Sequence, residues 1–184
     1  MLPFNRIDLL VSSDFDLISA MRVLSITKVG VPYDGKQLEG AIYRLKAAPP
    51  KAVSYPYLVV SDNLAEPSDI LTIHEFNSFR KLTKNKLKKG TGLEMTINPL
   101  RKMDGDSIAK WFSNLRELYR FCHSSSCQLI VSSGASSKYE MVSGPCFDAI
   151  LKTVGIEPQS YWNSLQRWLE EKLARNVYYA KQET

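Results

Sequence analysis

The chain has 184 residues, a formal charge of +5 and 44% apolar residues, with a pI near 9.0. That length fits one domain, or one domain with an appended helix, and can bury a sizeable core without metal or disulfide support. Ordinary apolar and charged content excludes wholesale disorder, and no apolar run approaches the roughly 20 residues needed to span a bilayer. The start, Met1-Leu-Pro-Phe-Asn-Arg6, lacks the basic and apolar regions of a signal peptide. Cys122, Cys127 and Cys146 are odd in number and form no CxxC pair, which fits thiols kept reduced inside a cell. The expectation is a soluble cytoplasmic protein with no membrane partner.

In chain order, Ile7 to Val11 reads as a strand running into a helix cap at Ser12, Ser13 and Asp14. Leu17, Ile18, Met21, Leu24 and Val29 recur at helical spacing, which predicts a helix over 16–29 before Gly30, Pro32 and Gly35 break the pattern. Residues 38–47 alternate weakly, as a strand does, and Pro49 and Pro50 end the run. Tyr57 to Val60 and Ile70 to Ile73 are short apolar runs between turn residues, the pattern of buried strands.

A basic helix is expected next, with Phe76, Phe79 and Leu82 toward the core and Gly90 and Gly92 as its stop. Leu93 to Ile97 follows as a strand. Ile108, Trp111, Phe112, Leu115, Leu118 and Tyr119 then follow the amphipathic helical template over 106–121. Leu129 to Val131 is another buried strand. A helix opens near Pro145 and stops at Gly155, and a last one opens at Pro158 and buries Tyr161, Trp162, Leu165, Trp168, Leu169 and Leu173. Strands written as continuous apolar runs and alternating with helices argue for a parallel sheet covered by helices. An open doubly wound sheet and a closed barrel both satisfy that pattern.

The net charge is concentrated. Arg80, Lys81, Lys84, Lys86, Lys88 and Lys89 lie between Phe76 and Gly90 with no acidic residue among them, so the rest of the chain is about neutral. On a helix Arg80, Lys84 and Lys88 recur at i, i+4 and i+8 and share one stripe. Arg101 and Lys102 lie just past the next strand. Clustering of this kind is an electrostatic footprint for a polyanion, and lysines on helices and loops contact phosphates rather than read bases. The bland alternative is a solvated, solubilising helix.

Other constellations carry less. Gly30-Val-Pro-Tyr-Asp-Gly35-Lys36 matches a phosphate-binding loop except at its last position, where Gln37 replaces the Ser or Thr that holds magnesium. Cys122, His123 and Cys127 have no second ligand pair at zinc spacing. His74 and His123 are the two histidines, too few with Asp62 and Glu75 for a multi-metal cage at strand ends. Ser132 and Ser133 end a strand, but no G-x-S-x-G elbow surrounds them. No cofactor, resident metal or catalytic side chain is expected from these residues. The competing enzyme reading is a small barrel hydrolase acting on a phosphorylated metabolite, with a site around Asp62, His74, Glu94 and Ser133.

The segment Gly92-Leu-Glu-Met-Thr-Ile-Asn-Pro-Leu100, then a helix, then Leu129-Ile-Val-Ser-Ser-Gly-Ala135, Lys138-Tyr-Glu140 and Ser143-Gly-Pro145 resembles ribonuclease P protein component 3, an archaeal family shared with eukaryotic RNase P and RNase MRP. The likeness covers about residues 69–156. It departs from the family pattern at Val142, where an arginine is usual, and at Gly144, which intervenes before Pro145. Lys138 is a partial replacement for that arginine. The resemblance implies a compact, TIM-barrel-like parallel α/β barrel over residues 1–156, with a C-terminal amphipathic helix and tail over 157–184. It implies a non-catalytic subunit that binds RNase P RNA and precursor tRNA beside protein component 2 and other RNase P proteins. The RNA itself, with magnesium, would carry out the cleavage.

Overall fold

The computed structural model describes residues 5–13, 16–35, 38–51, 53–63, 65–74, 76 and 87–182. Seven parallel strands follow one another in sequence order: β1 (Ile7–Asp8), β2 (Lys28–Pro32), β3 (Ala41–Leu45), β4 (Tyr57–Ser61), β5 (Ile70–Thr72), β6 (Gly92–Thr96) and β7 (Gln128–Ser132). Each pairs in parallel with the next. The sheet then curls back on itself. A parallel bridge joins Val11 to Ala135, the Ser12 N–H donates to the Ala135 carbonyl at 2.8 Å, and the Gly134 N–H donates to the Leu10 carbonyl at 3.0 Å. The result is a nearly closed parallel α/β barrel, which decides between the two architectures that the periodicity left open.

Four helices are described: α1 (Leu17–Leu24), α2 (Gly105–Ser125), α3 (Gly144–Thr153) and α4 (Pro158–Gln182). Their starts follow local chemistry. Asp16, Asp104 and Ser143 cap α1, α2 and α3 by accepting the N–H groups of Ser19, Ser107 and Cys146. Pro145 sits in the first turn of α3, where its missing N–H loses nothing. None of the described helices is long and apolar enough to cross a membrane.

The first third of the chain corrects the sequence reading. The helix expected over 16–29 ends at Leu24, because Ser25 turns into the left-handed region (φ 57°) and its N–H caps the last carbonyls. Lys28-Val-Gly-Val-Pro32, read as helix end and breaker, is strand β2. Gly30 is a strand residue for a steric reason: a Cβ there would lie 2.3 Å from the Leu9 carbonyl oxygen. The phosphate-loop pattern that begins at Gly30 therefore opens inside a strand rather than in a turn. Tyr57–Ser61, Ile70–Thr72, Gly92–Thr96 and Gln128–Ser132 lie where the apolar runs place them.

Helix α4 shuts the end of the barrel where the strands begin. The Tyr161 hydroxyl accepts the Val131 N–H at 2.9 Å, the Trp168 indole donates to the Gly90 carbonyl at 2.7 Å, and Asn176 donates to the Tyr57 carbonyl at 2.7 Å. Gly92 admits the Trp168 ring: a Cβ there would meet Ile130 Cδ1 at 2.4 Å and Trp168 Cζ2 at 2.9 Å. Lys172, buried on the same helix, pairs with Asp69 at 3.2 Å. Trp162 is also buried and donates to Asp148 at 2.8 Å, the carboxylate that Arg6 holds at 2.7 Å. Both α4 tryptophans are thus parts of the core.

The barrel is unevenly covered. Helices flank it between β1 and β2, between β6 and β7, and after β7. The described residues of the 33–40, 46–56 and 62–69 connections hold no helix, although parallel neighbours usually need a helical crossover. On that side Tyr33, Tyr43 and Tyr55 pack edge-on and stacked, with ring centroids 4.8–5.2 Å apart.

Candidate nucleic-acid interface

The strand ends that face away from α4 form the mouth of the barrel, where parallel barrels carry their function. Just inside it lies a polar layer. Glu94 on β6 is fully buried and accepts four hydrogen bonds. Arg44 on β3 donates through Nη1 at 2.8 Å and Nη2 at 2.6 Å, the Thr72 hydroxyl on β5 at 2.8 Å, and the Ser132 hydroxyl on β7 at 2.7 Å. Arg44 Nη1 also donates to the Leu9 carbonyl at 2.6 Å. The bidentate guanidinium–carboxylate fork is charge-assisted, and the layer ties four strands together across the interior.

Beside it sits a second acid. Asp8 is fully buried, and its Oδ1 accepts the N–H groups of Ser133 at 2.9 Å and Leu10 at 3.4 Å. Its Oδ2 has no hydrogen-bond partner among the described residues. Burial pushes this carboxyl up to about 6, against the opposing pull of the Ser133 and Leu10 hydrogen bonds.

The rim is built by two short segments. A 3-10 turn over Asn98–Lys102 follows β6, with Pro99 in its first turn. The loop after β7 begins at Gly134 (φ 68°), whose carbonyl accepts from Asn98 Nδ2 at 3.3 Å. Arg101 Nη2 donates to the Glu140 carbonyl at 3.1 Å and joins the two segments. Within the loop the Ser136 N–H donates to Glu140 Oε2 at 2.7 Å and the Glu140 N–H to the Ser137 carbonyl at 3.0 Å. Lys138 Nζ stands 5.1 Å from the centroid of the Tyr139 ring.

The cations read from the sequence fall into three groups. Arg80, Lys81, Lys84 and Lys86 lie outside the described residues, as do Phe79 and Leu82. Arg101, Lys102 and Lys138 are exposed at the mouth, and the Arg101–Glu140 link holds Arg101 and the Lys138 loop together. Lys88 and Lys89 are exposed at the opposite end, just before β6, where the Gly90 N–H donates to the Ser126 carbonyl at 2.8 Å. The five residues of β6 separate the two groups by about 16 Å along the strand axis at ~3.3 Å per residue.

The four residues of the hydrolase reading divide by burial. Asp62 and His74 are exposed, whereas Glu94 and Ser133 are buried and bonded internally. The backbone N–H groups of the Ser133–Ser136 turn are all engaged within the protein. Cys122 is buried, Cys127 half-buried and His123 exposed, and burial raises both thiols. Among the described residues no group of three or more His, Cys, Asp or Glu side chains is placed to hold a metal ion.

Sequence reasoning missed the Arg44–Glu94 fork, the buried Asp8, the Lys172–Asp69 pair and the exposure of Tyr139. A signal existed for three of these residues: Asp8, Arg44 and Glu94 are each a lone charge inside a short apolar strand. Neither a protein-family model nor a curated protein matches this chain.

Proposed function

We propose that the chain is a non-catalytic, RNA-binding protein subunit of ribonuclease P that supports 5′ maturation of precursor tRNA in the cytoplasm. One observation carries the reading. Glu94 and Asp8, just inside the mouth, are buried and bonded within the protein, while Arg101, Lys102 and Lys138 are exposed together on the rim. Arginine and lysine side chains are donors without acceptor capacity at neutral pH. They hold phosphates and 2′-hydroxyls, the groups through which folded RNA is recognised. The acid-free run of cations over 80–89 supplies a second basic segment, and the barrel is the fold that the component 3 resemblance implies. In this reading the RNA subunit with magnesium cleaves, and the protein binds RNase P RNA and precursor tRNA beside protein component 2 and the other subunits.

The test is purification of a tagged copy from its native host. Recovery of RNase P RNA, the companion proteins and cleavage at precursor tRNA 5′ ends is expected. A tagged chain that brings down no RNase P RNA from an active extract refutes the reading.

A further inference from the structure

Tyr139 is 80% exposed on the rim of the barrel, an unusual position for a large ring. The exposure does not come from a loose tip. The turn that carries it is closed by Ser136 N–H to Glu140 Oε2 at 2.7 Å and Glu140 N–H to the Ser137 carbonyl at 3.0 Å. Arg101 pins the same turn from the neighbouring segment through the Glu140 carbonyl. The ring is therefore held in water on an ordered backbone, and little conformational entropy is lost when a planar partner covers it. Its chemical setting is cationic rather than apolar: Lys138 Nζ lies 5.1 Å from its centroid, Arg101 is tied to the next residue, and Lys102 is exposed beside Arg101. A protein partner favours a ring set among apolar neighbours, with charge depleted at the centre of the interface. A ring flanked by lysine and arginine is the arrangement that binds single-stranded nucleic acid, where bases stack on the aromatic and cations follow the backbone.

We propose that Tyr139 is a stacking site for an unpaired RNA base, taken on the ring face opposite Lys138 Nζ, with the flanking phosphates at Lys138 and Arg101. This rests on the RNA-binding reading above and gives it a preference: loops, bulges and single-stranded ends, whose bases are splayed, rather than paired helices. Stacking displaces no counterions, so its loss lowers affinity without changing the salt dependence, which belongs to the cations.

The experiment uses the full chain with two labelled RNAs, a hairpin with an unpaired loop and a fully paired duplex of the same length. Tyr139→Ala weakens hairpin binding by about 5- to 150-fold, the range for removal of one base–aromatic stack. It leaves duplex binding and the salt slope unchanged, while Tyr139→Phe matches the wild type on both RNAs. Because Trp111, Trp162 and Trp168 are buried, Tyr139→Trp adds an exposed indole whose emission is quenched by the hairpin and not by the duplex. Wild-type affinity of Tyr139→Ala for the hairpin overturns the stacking site and leaves the RNA-binding reading standing. Failure of the wild type to bind either RNA removes both.

Discussion

Replacing Arg44 by methionine strands a carboxylate that has no route to solvent. The Glu94 side chain is 0% exposed and that of Arg44 7%. The substitution removes the two charge-assisted donors at 2.8 and 2.6 Å and leaves only the Thr72 and Ser132 hydroxyls on the acid. It also takes the donor from the Leu9 carbonyl. Removing one partner of a buried ion pair costs about 3–5 kcal/mol. The two surviving hydroxyl donors put this case at the lower end, about 3 kcal/mol. In a chain of this length each kcal/mol moves Tm by roughly 2–4 °C, so Tm should fall by about 6–12 °C. Thermal melts followed by far-UV circular dichroism at neutral pH read the change. The double variant Arg44→Met with Glu94→Gln neutralises the stranded charge and should recover about half of the loss, since coupling is expected between residues that touch directly. A single Arg44→Met variant that melts within about 3 °C of the wild type refutes the idea that this fork holds the barrel interior together.

Three further outcomes follow from other parts of the structure. Burial raises the folded-state value of Asp8 from 3.8 to about 6, so this group's contribution to stability is complete below about pH 4 and is lost as pH rises through 6, about 3 kcal/mol in all. Asp8→Asn should flatten that slope, with urea midpoints at mildly acidic and neutral pH as the measure; an unaltered pH dependence would exclude Asp8 as its source. Gly30→Ala drives a methyl group to 2.3 Å from the Leu9 backbone oxygen and should cost about 3 kcal/mol, the upper range of overpacking, whereas Gly105→Ala, with nothing within 4 Å, should melt like the wild type. For RNA, Lys102→Gln with Lys138→Gln should flatten the plot of log affinity against log salt by roughly 0.7–0.9 for each phosphate no longer neutralised. Lys88→Gln with Lys89→Gln should do so independently, because sites more than about 10 Å apart add.

Strand positions were legible where apolar runs are uninterrupted, as at Tyr57–Ser61 and Gln128–Ser132. They were not legible at Lys28–Pro32, where glycine and proline read as breakers. The reason for Gly30 is a backbone approach from Leu9, just past the neighbouring strand β1 and on the far side of helix α1 in the chain. Helix α1 ran on in the sequence reading because Ser25, not glycine, adopts the left-handed stop. Closure of the barrel rests on Val11 meeting Ala135, a pairing between residues far apart in the chain that no local periodicity encodes. The same limit hid the polar layer: Arg44, Thr72, Glu94 and Ser132 come from four strands, and each alone reads as an isolated polar residue. For the interface, composition revealed the cations but not their ends of the barrel. Lys88 and Lys102 lie close in sequence, yet the length of β6 sends them to opposite faces.

That separation would constrain how a polyanion meets the molecule. The N-terminal end of the barrel is where Trp168 fills the space beside Gly92 and α4 closes the core, so Lys88 and Lys89 sit on the margin of a sealed surface. The mouth differs, because Arg101 ties two segments from neighbouring strands into one rim carrying Lys102, Lys138 and Tyr139. The two acids nearest the axis are turned inward: Glu94 accepts four donors, and Asp8 is fully buried with its Oδ1 held by the Ser133 N–H. Around Arg101 the rim carries positive charge and an aromatic face on a backbone tied by hydrogen bonds. Exposed cations hold phosphates and an exposed ring stacks bases, so the RNA-binding proposal stands or falls on this rim.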